Sequence, residues 1–215
     1  MTTGKSSAVH GRRRRGEDTR RKVEEAAGRL FSERGYEATT VQAIADEAGV
    51  HVQTIYLAYR TKAAVLAAAA TRLVAGEDDP DSHPSERRWA REIIDAADPE
   101  HKLRLYVRHI RDVAPRIIGL VDMLRAAAPA DPVVAAFLMR MLEGRREGPY
   151  ALLEPLAATG RLRPGLTRAA AADITYAFAS PETFRALVED RGWSWSRAET
   201  WITAQLSDAL LDAAG

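Results

Sequence analysis

Apolar residues recur at three- and four-residue spacing along most of the chain, and this period predicts α-helices. The first clear helix runs from Glu17 to Gly35, where the apolar residues share one face and a glycine ends the pattern. The residues of that face are Val23, Ala26, Ala27, Leu30 and Phe31. We find no alternating strand pattern and no internal repeat. The sequence therefore predicts an all-α fold.

Proline, glycine and one acidic segment divide the rest of the chain into further helices. We expect them at about 62–75, 85–97, 100–113, 115–127, 131–159, 167–179, 182–190 and 195–213. Pro149 and Pro155 lie inside the longest of these segments and are expected to kink or split it. Residues 76–86 are acidic and rich in turn formers, so we expect a domain boundary there.

Two short apolar patterns joined by a glycine lie between residues 40 and 59. The Thr40 hydroxyl can cap the first helix, and Gly49 allows a tight turn after it. A second short helix is expected from about Val52 to Ala58, with Ile55 facing the core. Two short helices around a glycine-containing turn are typical of a helix-turn-helix.

Charge is unevenly distributed along the chain. Residues 1–62 hold 12 Lys and Arg against 8 Asp and Glu, a net charge of +4, whereas residues 63–215 hold 19 against 22, a net charge of −3. A basic N-terminal part joined to a mildly acidic remainder indicates that only the N-terminal part meets a polyanion.

Several classes of protein are disfavoured by what the sequence lacks. The chain has no cysteine, which excludes disulfides and cysteine-based sites and fits a cytoplasmic setting. Its longest apolar run, 63–70, is far shorter than the ~20 residues that span a bilayer, so no membrane partner is expected. His101 and His109 have no partner in ligand spacing, so no metal is expected. We find no phosphate loop or nucleophile elbow, and expect no enzyme and no cofactor.

The stretch at 39–62, TTVQAIADEAGVHVQTIYLAYRTK, resembles the signature of the TetR family of regulators. The matching positions are Thr39, Thr40, Val41, Ile44, Ala45, Ala48, Gly49, Val50, Thr54, Ile55, Tyr56, Tyr59 and Lys62. The resemblance is strongest over residues 18–66. It implies a helix-turn-helix DNA-binding domain at 17–62 and a helical ligand-binding and dimerisation domain at 63–215. Residues 1–16, polar and arginine-rich, are expected to form a disordered basic arm.

Three positions depart from the family pattern. His51 stands where a Ser or Thr usually caps the second helix of the motif, and imidazole is a poorer cap. Tyr59 replaces the commoner Phe, and Ala63 replaces a common Glu. We expect these changes to lower local stability and to leave the DNA-facing groups in place.

The second helix of such a motif enters the major groove and presents its early residues to the base edges. Gln53 can bind adenine through two hydrogen bonds, worth ~1–3 kcal/mol of discrimination, and Val52 can touch a thymine methyl. Tyr56 and Lys62 resemble the family's phosphate contacts. The full set of DNA-binding candidates is Arg12, Arg13, Arg14, Arg15, Thr40, His51, Val52, Gln53, Thr54, Tyr56 and Lys62.

The resemblance also implies a ligand cavity among the central helices and a dimer interface near the C-terminus. The pocket candidates are Trp89, Tyr106, His109, Ile110, Ile117, Val121, Leu124, Phe137, Met141 and Tyr150. Arg125, His109 or Tyr106 could supply polar groups, and plain core packing is the alternative for each residue. The interface candidates are Ile174, Phe178, Trp201, Ile202, Leu206 and Leu210. These six residues could instead only complete the core of one chain.

These observations predict a ligand-responsive, sequence-specific repressor. Its homodimer would bind a palindromic operator in double-stranded DNA, and a small apolar effector would release it. Two alternatives remain open. The chain could be an enzyme, or it could be an architectural DNA binder that depends on the arginine arm and responds to no small molecule.

Overall fold

The computed structural model describes residues 4–75 and 86–212, and the side chains of residues 16–74 and 86–212. These residues are mostly helical and contain no β-strand; Leu162 and Leu211 form an isolated antiparallel bridge. The all-α fold is confirmed. The helices are α1 (Gly4–Ala38), α2 (Val41–Ala48), α3 (Val52–Tyr59), α4 (Lys62–Ala75), α5 (Arg88–Asp95), α6 (Pro99–Ala127), α7 (Pro132–Ala157), α8 (Arg168–Phe178), α9 (Pro181–Arg185), followed directly by a π-helical turn (Ala186–Asp190), and α10 (Trp195–Leu210).

The chain forms two compact units. Unit 1 comprises residues 1–76 and 120–138, and unit 2 comprises residues 77–119 and 139–215. Unit 1 therefore includes α4 and the adjoining ends of α6 and α7, whereas the sequence suggested that the N-terminal domain ends at residue 62. Helix α4 belongs to unit 1 because it packs along α1 and buries Val65, Leu66 and Ala69.

The core of unit 1 is built from the apolar face that the sequence predicted for α1. Val23, Ala26, Ala27, Leu30 and Phe31 are all essentially buried. The helix-turn-helix adds Ile44 and Ile55 to the buried set, and α4 adds Leu66. Because both helices of the motif bury apolar side chains, α1 and α4 form the scaffold on which the motif is carried.

Helix α1 begins earlier than the sequence suggested. Residues 1–16 were expected to form a disordered arm, but α1 is helical from Gly4. The segment is rich in arginine, a good helix former that can extend an amphipathic helix towards its N-terminus. Gly35 interrupts the helical geometry near the other end, with φ 77° and ψ 172°, as expected for a glycine stop.

The prolines in the long helices do not end them. Pro115 lies inside α6, which is one helix where two were predicted, and Pro149 and Pro155 lie inside α7. A proline in a helix interior costs about 3 kcal/mol. Buried residues on both sides of Pro115, such as Ala114 and Ile117, supply packing that offsets this cost.

Unit 2 is closed by its C-terminal helix. Ala198, Ile202, Leu206 and Leu210 of α10 are completely buried in an apolar core that also contains Phe184. The end of α10 is fixed to the segment before α8 by backbone hydrogen bonds. The N–H of residue 163 donates to the carbonyl of residue 210 (2.8 Å), and the N–H of residue 212 donates to the carbonyl of residue 161 (2.9 Å).

Candidate nucleic-acid interface

The corner between α2 and α3 is set by a cap at each end of α2. At its start, the Ala43 N–H donates to Thr40 Oγ1 (3.1 Å), as the sequence predicted. At its end, Gly49 adopts the left-handed conformation (φ 66°, ψ 38°), and its N–H and that of Val50 bond back to the last turn. The predicted two-helix motif is therefore present, with α3 starting three residues after Gly49.

The entry into the motif depends on Thr39, whose role the sequence analysis missed. Thr39 is fully buried, and its hydroxyl donates to the carbonyls of Leu30 (3.1 Å) and Gly35 (2.8 Å) at the end of α1. These bonds fasten the segment before α2 to the last part of α1, where the chain turns at Gly35. The signal in the sequence is the pair of adjacent threonines. Thr39 faces the core, and Thr40 caps the start of α2.

Helix α3 presents polar and apolar groups to solvent on one face. Gln53 and Thr54 are exposed, Tyr56 is 51% exposed, and Val52 is half-buried. Ile55 alone of this helix is fully buried, and it fixes the orientation of the others. This is the arrangement required for side chains that must reach base edges.

His51 lies at the start of α3 and is exposed. It occupies the N-cap position with extended backbone (φ −73°, ψ 140°), but its side chain makes no capping hydrogen bond. The expectation of a weak cap is confirmed. The Thr54 N–H donates to the backbone carbonyl of His51 (2.9 Å), and the imidazole satisfies none of the first amides of α3, whose N-terminus can attract an anion such as a backbone phosphate.

Leu57 is a candidate contact that the sequence analysis did not include. Its side chain is 86% exposed on the helix that also carries the exposed Gln53 and Tyr56. Leu57 is one helical turn beyond Gln53, so the two side chains share a face of α3. That four-residue spacing is the signal by which the sequence could have identified it as a thymine-methyl contact.

Helix α3 is held in place by a buried carboxylate on α1. Glu24 is 9% exposed, and its two oxygens accept from the Tyr59 hydroxyl (3.0 Å) and from Nε of Arg72 on α4 (2.5 Å). Burial and the nearby Glu24 charge both raise the pKa of Tyr59, which keeps the phenol protonated as a donor. Tyr59 was expected to weaken the motif where Phe is commoner. Instead its hydroxyl supplies a link that Phe lacks.

Lys62 begins α4 beside an aromatic ring. The hydroxyl of Thr61 caps this helix by accepting from the Ala64 N–H (3.0 Å), a cap that the sequence analysis missed. The Lys62 ammonium lies 4.3 Å from the centroid of the Tyr36 ring and donates to the Glu37 carbonyl (3.4 Å). A cation at a helix N-terminus, with free amides next to it, favours a bound anion.

The four arginines of the predicted arm belong to α1 by their backbone. Their side chains lie outside the described residues. The DNA role of Arg12, Arg13, Arg14 and Arg15 therefore stays a prediction.

The ligand candidates divide between the two units. Val121, Leu124 and Phe137 belong to unit 1, where Val121 and Leu124 are buried and Phe137 is half-buried. Those of unit 2 are Trp89, Tyr106, His109, Ile110, Ile117, Met141 and Tyr150. The Trp89 and His109 rings are stacked, with centroids 4.1 Å apart and planes 10° from parallel. Arg125, considered as a polar group, is exposed and forms an ion pair with Asp122 (3.9 Å).

Tyr106 is the most unusual of the unit 2 candidates. It is 3% exposed, and its hydroxyl makes no hydrogen bond with any described residue. Burial raises its pKa, while the Arg145 charge opposes this increase. Arg145 itself forms two hydrogen bonds with Glu182 (3.0 and 2.6 Å). A Cβ at Gly148 would lie 3.8 Å from the hydroxyl, so the glycine leaves space beside this oxygen.

The candidate interface residues fall into two groups. Ile202, Leu206 and Leu210 are 0% exposed within one chain, so they complete the core of unit 2 and have no surface left for a second copy. The prediction is corrected for these three by the alternative that the sequence left open. Ile174 and Phe178 of α8 are half-buried, and Trp201 is 37% exposed. Trp201 is near Phe178 (6.3 Å between centroids) and Trp193 (5.9 Å).

The described residues contain neither a cluster of metal ligands nor a membrane-spanning helix. No three His, Cys, Asp or Glu side chains in the described ranges are grouped as metal ligands. Among the described helices, none is both long and apolar enough to cross a membrane.

Comparison with known proteins gives a family for the region just described. Residues 25–69 match the family described as bacterial regulatory proteins, tetR family, and these residues cover the last 14 residues of α1 together with α2, α3 and about half of α4. No curated protein sequence matches the chain.

Solved structures match over nearly the whole chain at low sequence identity. A protein of Saccharomonospora viridis, described as a transcriptional regulator in complex with choline, is 18% identical, with a TM-score of 0.68 over 91% of this chain and 99% of that one. A TetR-family regulator structure from Mesorhizobium loti is 18% identical, with a TM-score of 0.67 over 91% of this chain and 96% of that one. FadR of Bacillus subtilis in complex with stearoyl-CoA is 19% identical, with a TM-score of 0.66 over 87% of this chain and 97% of that one. These likenesses establish the fold: an N-terminal helix-turn-helix followed by a helical C-terminal part.

Proposed function

Residues 25–69 belong to the TetR family of bacterial regulatory proteins, and from this premise we propose that the chain is a ligand-released repressor. Its homodimer binds a palindromic operator in double-stranded DNA, and a small, mainly apolar molecule lowers that affinity. A DNA-binding regulator that responds to a ligand accords with the helix-turn-helix and with similar proteins solved in complex with choline and stearoyl-CoA. The palindromic operator, the repressing role and the apolar effector are specific to this proposal.

The exposed face of α3 is the observation that carries the DNA-binding proposal. Gln53, Tyr56 and Leu57 are exposed on a helix whose own core residue is Ile55. An amide that can form two hydrogen bonds to adenine thus lies one turn from an apolar side chain that can contact a thymine methyl. Lys62 and the amides at the start of α4 would contact phosphate and set the register of the motif.

A second copy of the chain is proposed to bind through α8 and α10. Their outward face carries Ile174, Phe178 and Trp201, and alanines such as Ala177 and Ala204 let another helix approach closely. A half-exposed tryptophan grouped with other aromatic rings is typical of the central part of an interface. A twofold interface would place two recognition helices about 34–36 Å apart or slightly more.

The effector is proposed to contact unit 2. Tyr106 is 3% exposed and offers a hydroxyl that has no hydrogen-bond partner among the described residues, in a unit whose described core is mostly apolar. Such pockets combine apolar walls with a few polar groups that fix the orientation of the ligand. Because Arg145 is already neutralised by Glu182, a ligand oxygen that hydrogen-bonds to Tyr106 does not need to carry charge.

The DNA-binding part is tested by selecting duplexes from a random-sequence pool with the purified protein. We expect a palindromic sequence with two half-sites. A Gln53→Ala variant should lose affinity at one position of each half-site by about 1–3 kcal/mol and leave the other positions unchanged. Affinity is measured on duplexes of about 30 base pairs, long enough for two half-sites.

Gln42→Ala is the matched control, because Gln42 is exposed on α2 and hydrogen-bonds to Asp46 (2.7 Å). It should leave the base preference unchanged. A uniform loss across all duplexes on changing Gln53 would instead favour an architectural DNA binder. Selection that enriches no sequence at low ionic strength would contradict the proposed function.

A further inference from the structure

The turn between α6 and α7 is joined to the end of α1 by a side-chain hydrogen bond within unit 1. The Tyr36 hydroxyl donates to Asp131 Oδ2 (2.7 Å) across 95 positions of sequence. Asp131 also caps α7, because its Oδ1 accepts from the N–H groups of Val133 (2.9 Å) and Val134 (3.4 Å). Both carboxylate oxygens are therefore in use, and the side chain has one defined position.

Tyr36 is held on more than one side. Its ring is 8% exposed and stacks on Phe31, with centroids 5.7 Å apart. The Lys62 ammonium lies over the same ring, 4.3 Å from the centroid. A cation over the face of a phenol ring is attracted by the ring's negative face, so the plane of the ring helps to fix where the ammonium lies.

We propose that Asp131 is a positioning residue for DNA binding: through the Tyr36 ring it holds the Lys62 ammonium at the start of α4, where a phosphate would bind. This inference rests on the proposed function. Asp131 lies outside residues 25–69, the region that matches the family.

The location of Asp131 gives this contact a regulatory meaning. It lies in the turn between α6 and α7, and these two helices carry all the ligand candidates except Trp89. Both helices continue from unit 1 into unit 2. A ligand that shifts either helix can therefore act on Asp131 through covalent continuity, and through Asp131 on the phosphate contact.

The positioning role predicts that loss of the Asp131 carboxylate weakens DNA binding, whereas electrostatics alone predicts that it strengthens binding, so the two explanations can be distinguished. Removing a carboxylate close to Lys62 should strengthen its attraction for phosphate if the charge of Asp131 is what matters. If position matters, the same change weakens binding. Asp131→Asn is the informative variant, because Asn caps a helix as well as Asp does but offers an NH2 group in place of one acceptor oxygen.

We expect Lys62→Ala to weaken binding to the selected duplex about tenfold, the typical worth of one charged hydrogen bond. It should also lower the slope of log affinity against log salt by about 0.9, the value for one lost phosphate contact. Asp131→Asn should weaken binding about three- to tenfold and reduce the slope in the same direction. The double variant should bind no more weakly than Lys62→Ala alone, because both changes remove one contact.

Tyr36→Phe is the second variant, since it keeps the ring beneath Lys62 and removes only the bond to Asp131. It should reproduce the loss seen with Asp131→Asn. Glu143→Gln is the charge-matched control, because this exposed residue of α7 also loses one negative charge. It should leave the affinity and the slope unchanged. Thermal unfolding of every variant separates a loss of fold from a loss of contact.

Each other outcome has a distinct meaning. If Lys62→Ala weakens binding but Asp131→Asn binds DNA equally or more tightly than the unaltered protein, the positioning role is wrong and the proposed function stands. A lower melting temperature for Asp131→Asn with an unchanged salt slope also overturns the inference, because it indicates a structural role only. Failure of the unaltered protein to bind any selected duplex would overturn the proposed function itself.

Discussion

The two units use buried tyrosines in different ways. In unit 1, Tyr36 and Tyr59 each donate a hydrogen bond to a carboxylate, Asp131 or Glu24. In unit 2, Tyr106 is at least as buried, yet its hydroxyl has no partner among the described residues. Burial is the largest cause of the raised pKa of all three phenols, but a neighbouring carboxylate adds to it in unit 1 and an arginine opposes it in unit 2.

This difference indicates what each unit is built to do. The Tyr106 oxygen keeps some accessible surface, because the described side-chain atoms that are fully buried without a partner are Nε of Arg87 and Nε of Arg116. In unit 1 the phenols link helices at fixed positions, as a rigid DNA-reading surface requires. In unit 2 the Tyr106 hydroxyl has no partner among the described residues, so it can bond to water or to a ligand.

Glu24→Ala should cause the largest loss of stability. It removes the common acceptor of Tyr59 and Arg72 and leaves a partly buried cation without its partner. Breaking such a pair typically costs about 3 kcal/mol or more. We expect the free energy of unfolding of unit 1 to fall by about this amount, as measured by denaturant titration with circular dichroism.

The neighbouring residue provides the control for this prediction. Glu25 is exposed and forms only a long ion pair with Arg21 (3.6 Å). Glu25→Ala should therefore cost less than about 1 kcal/mol. Equal losses for the two variants would show that the buried carboxylate does not fix α3 and α4 on α1.

Tyr59→Phe should cause an intermediate loss. It removes one hydrogen bond to a charged acceptor and keeps the ring, so we expect a cost of about 1.5 kcal/mol in unfolding free energy. This variant restores the residue that is commoner at this position in the family. A stability equal to or above that of the unaltered protein would contradict our view that the hydroxyl stabilises the motif.

Tyr106→Phe should cost much less than Tyr59→Phe. No hydrogen bond to a described residue is lost, so we expect a change of about 0.5 kcal/mol or less in the free energy of unfolding. Measuring both variants in the same denaturant series tests the contrast directly. A loss at Tyr106 as large as at Tyr59 would mean that this hydroxyl has a structural role, and would remove it as a ligand contact.

The sequence was most informative where chemistry acts over short distances. The caps at Thr40 and Gly49, the buried face of α1 and the bounds of α4 followed from local spacing, because a few consecutive residues determine each of them. The exposed face of α3 also followed, apart from Leu57, since helical periodicity determines which residues share a face.

Contacts between distant residues were not accessible from local pattern. Glu24 meets Tyr59 and Arg72 across 35 and 48 positions, and no periodicity records such a pairing. The two faces of α10 were also not separated by the sequence, although Trp201 lies on its exposed face and Ile202 on its buried face. Both are large and apolar, so only tertiary packing distinguishes them. Pro115 shows the same limit, because its helix is maintained by residues that surround it in space.

The smallest expected effect concerns the pH dependence of the Tyr36–Asp131 link. The hydrogen bond from Tyr36 is the main cause of the lowered pKa of Asp131, with the Val133 and Val134 amides and the Lys62 charge acting in the same direction. Since the folded state favours the ionised carboxylate, this stabilisation is fully present above the ordinary pKa of 3.8 and is lost as pH falls through the lowered value.

The difference in unfolding free energy between the unaltered protein and Asp131→Asn should therefore be constant from about pH 7 to 5 and shrink below about pH 4. The corresponding difference for Glu143→Gln, measured in parallel, should show no such decrease. A difference for Asp131 that persisted undiminished near pH 2, at about the same size as at neutrality, would mean that the charge of this carboxylate does not strengthen the link. The Tyr36 hydroxyl would then bond equally well to the protonated carboxyl group, and the contrast with Tyr106 would be one of hydrogen-bond pairing and not of charge.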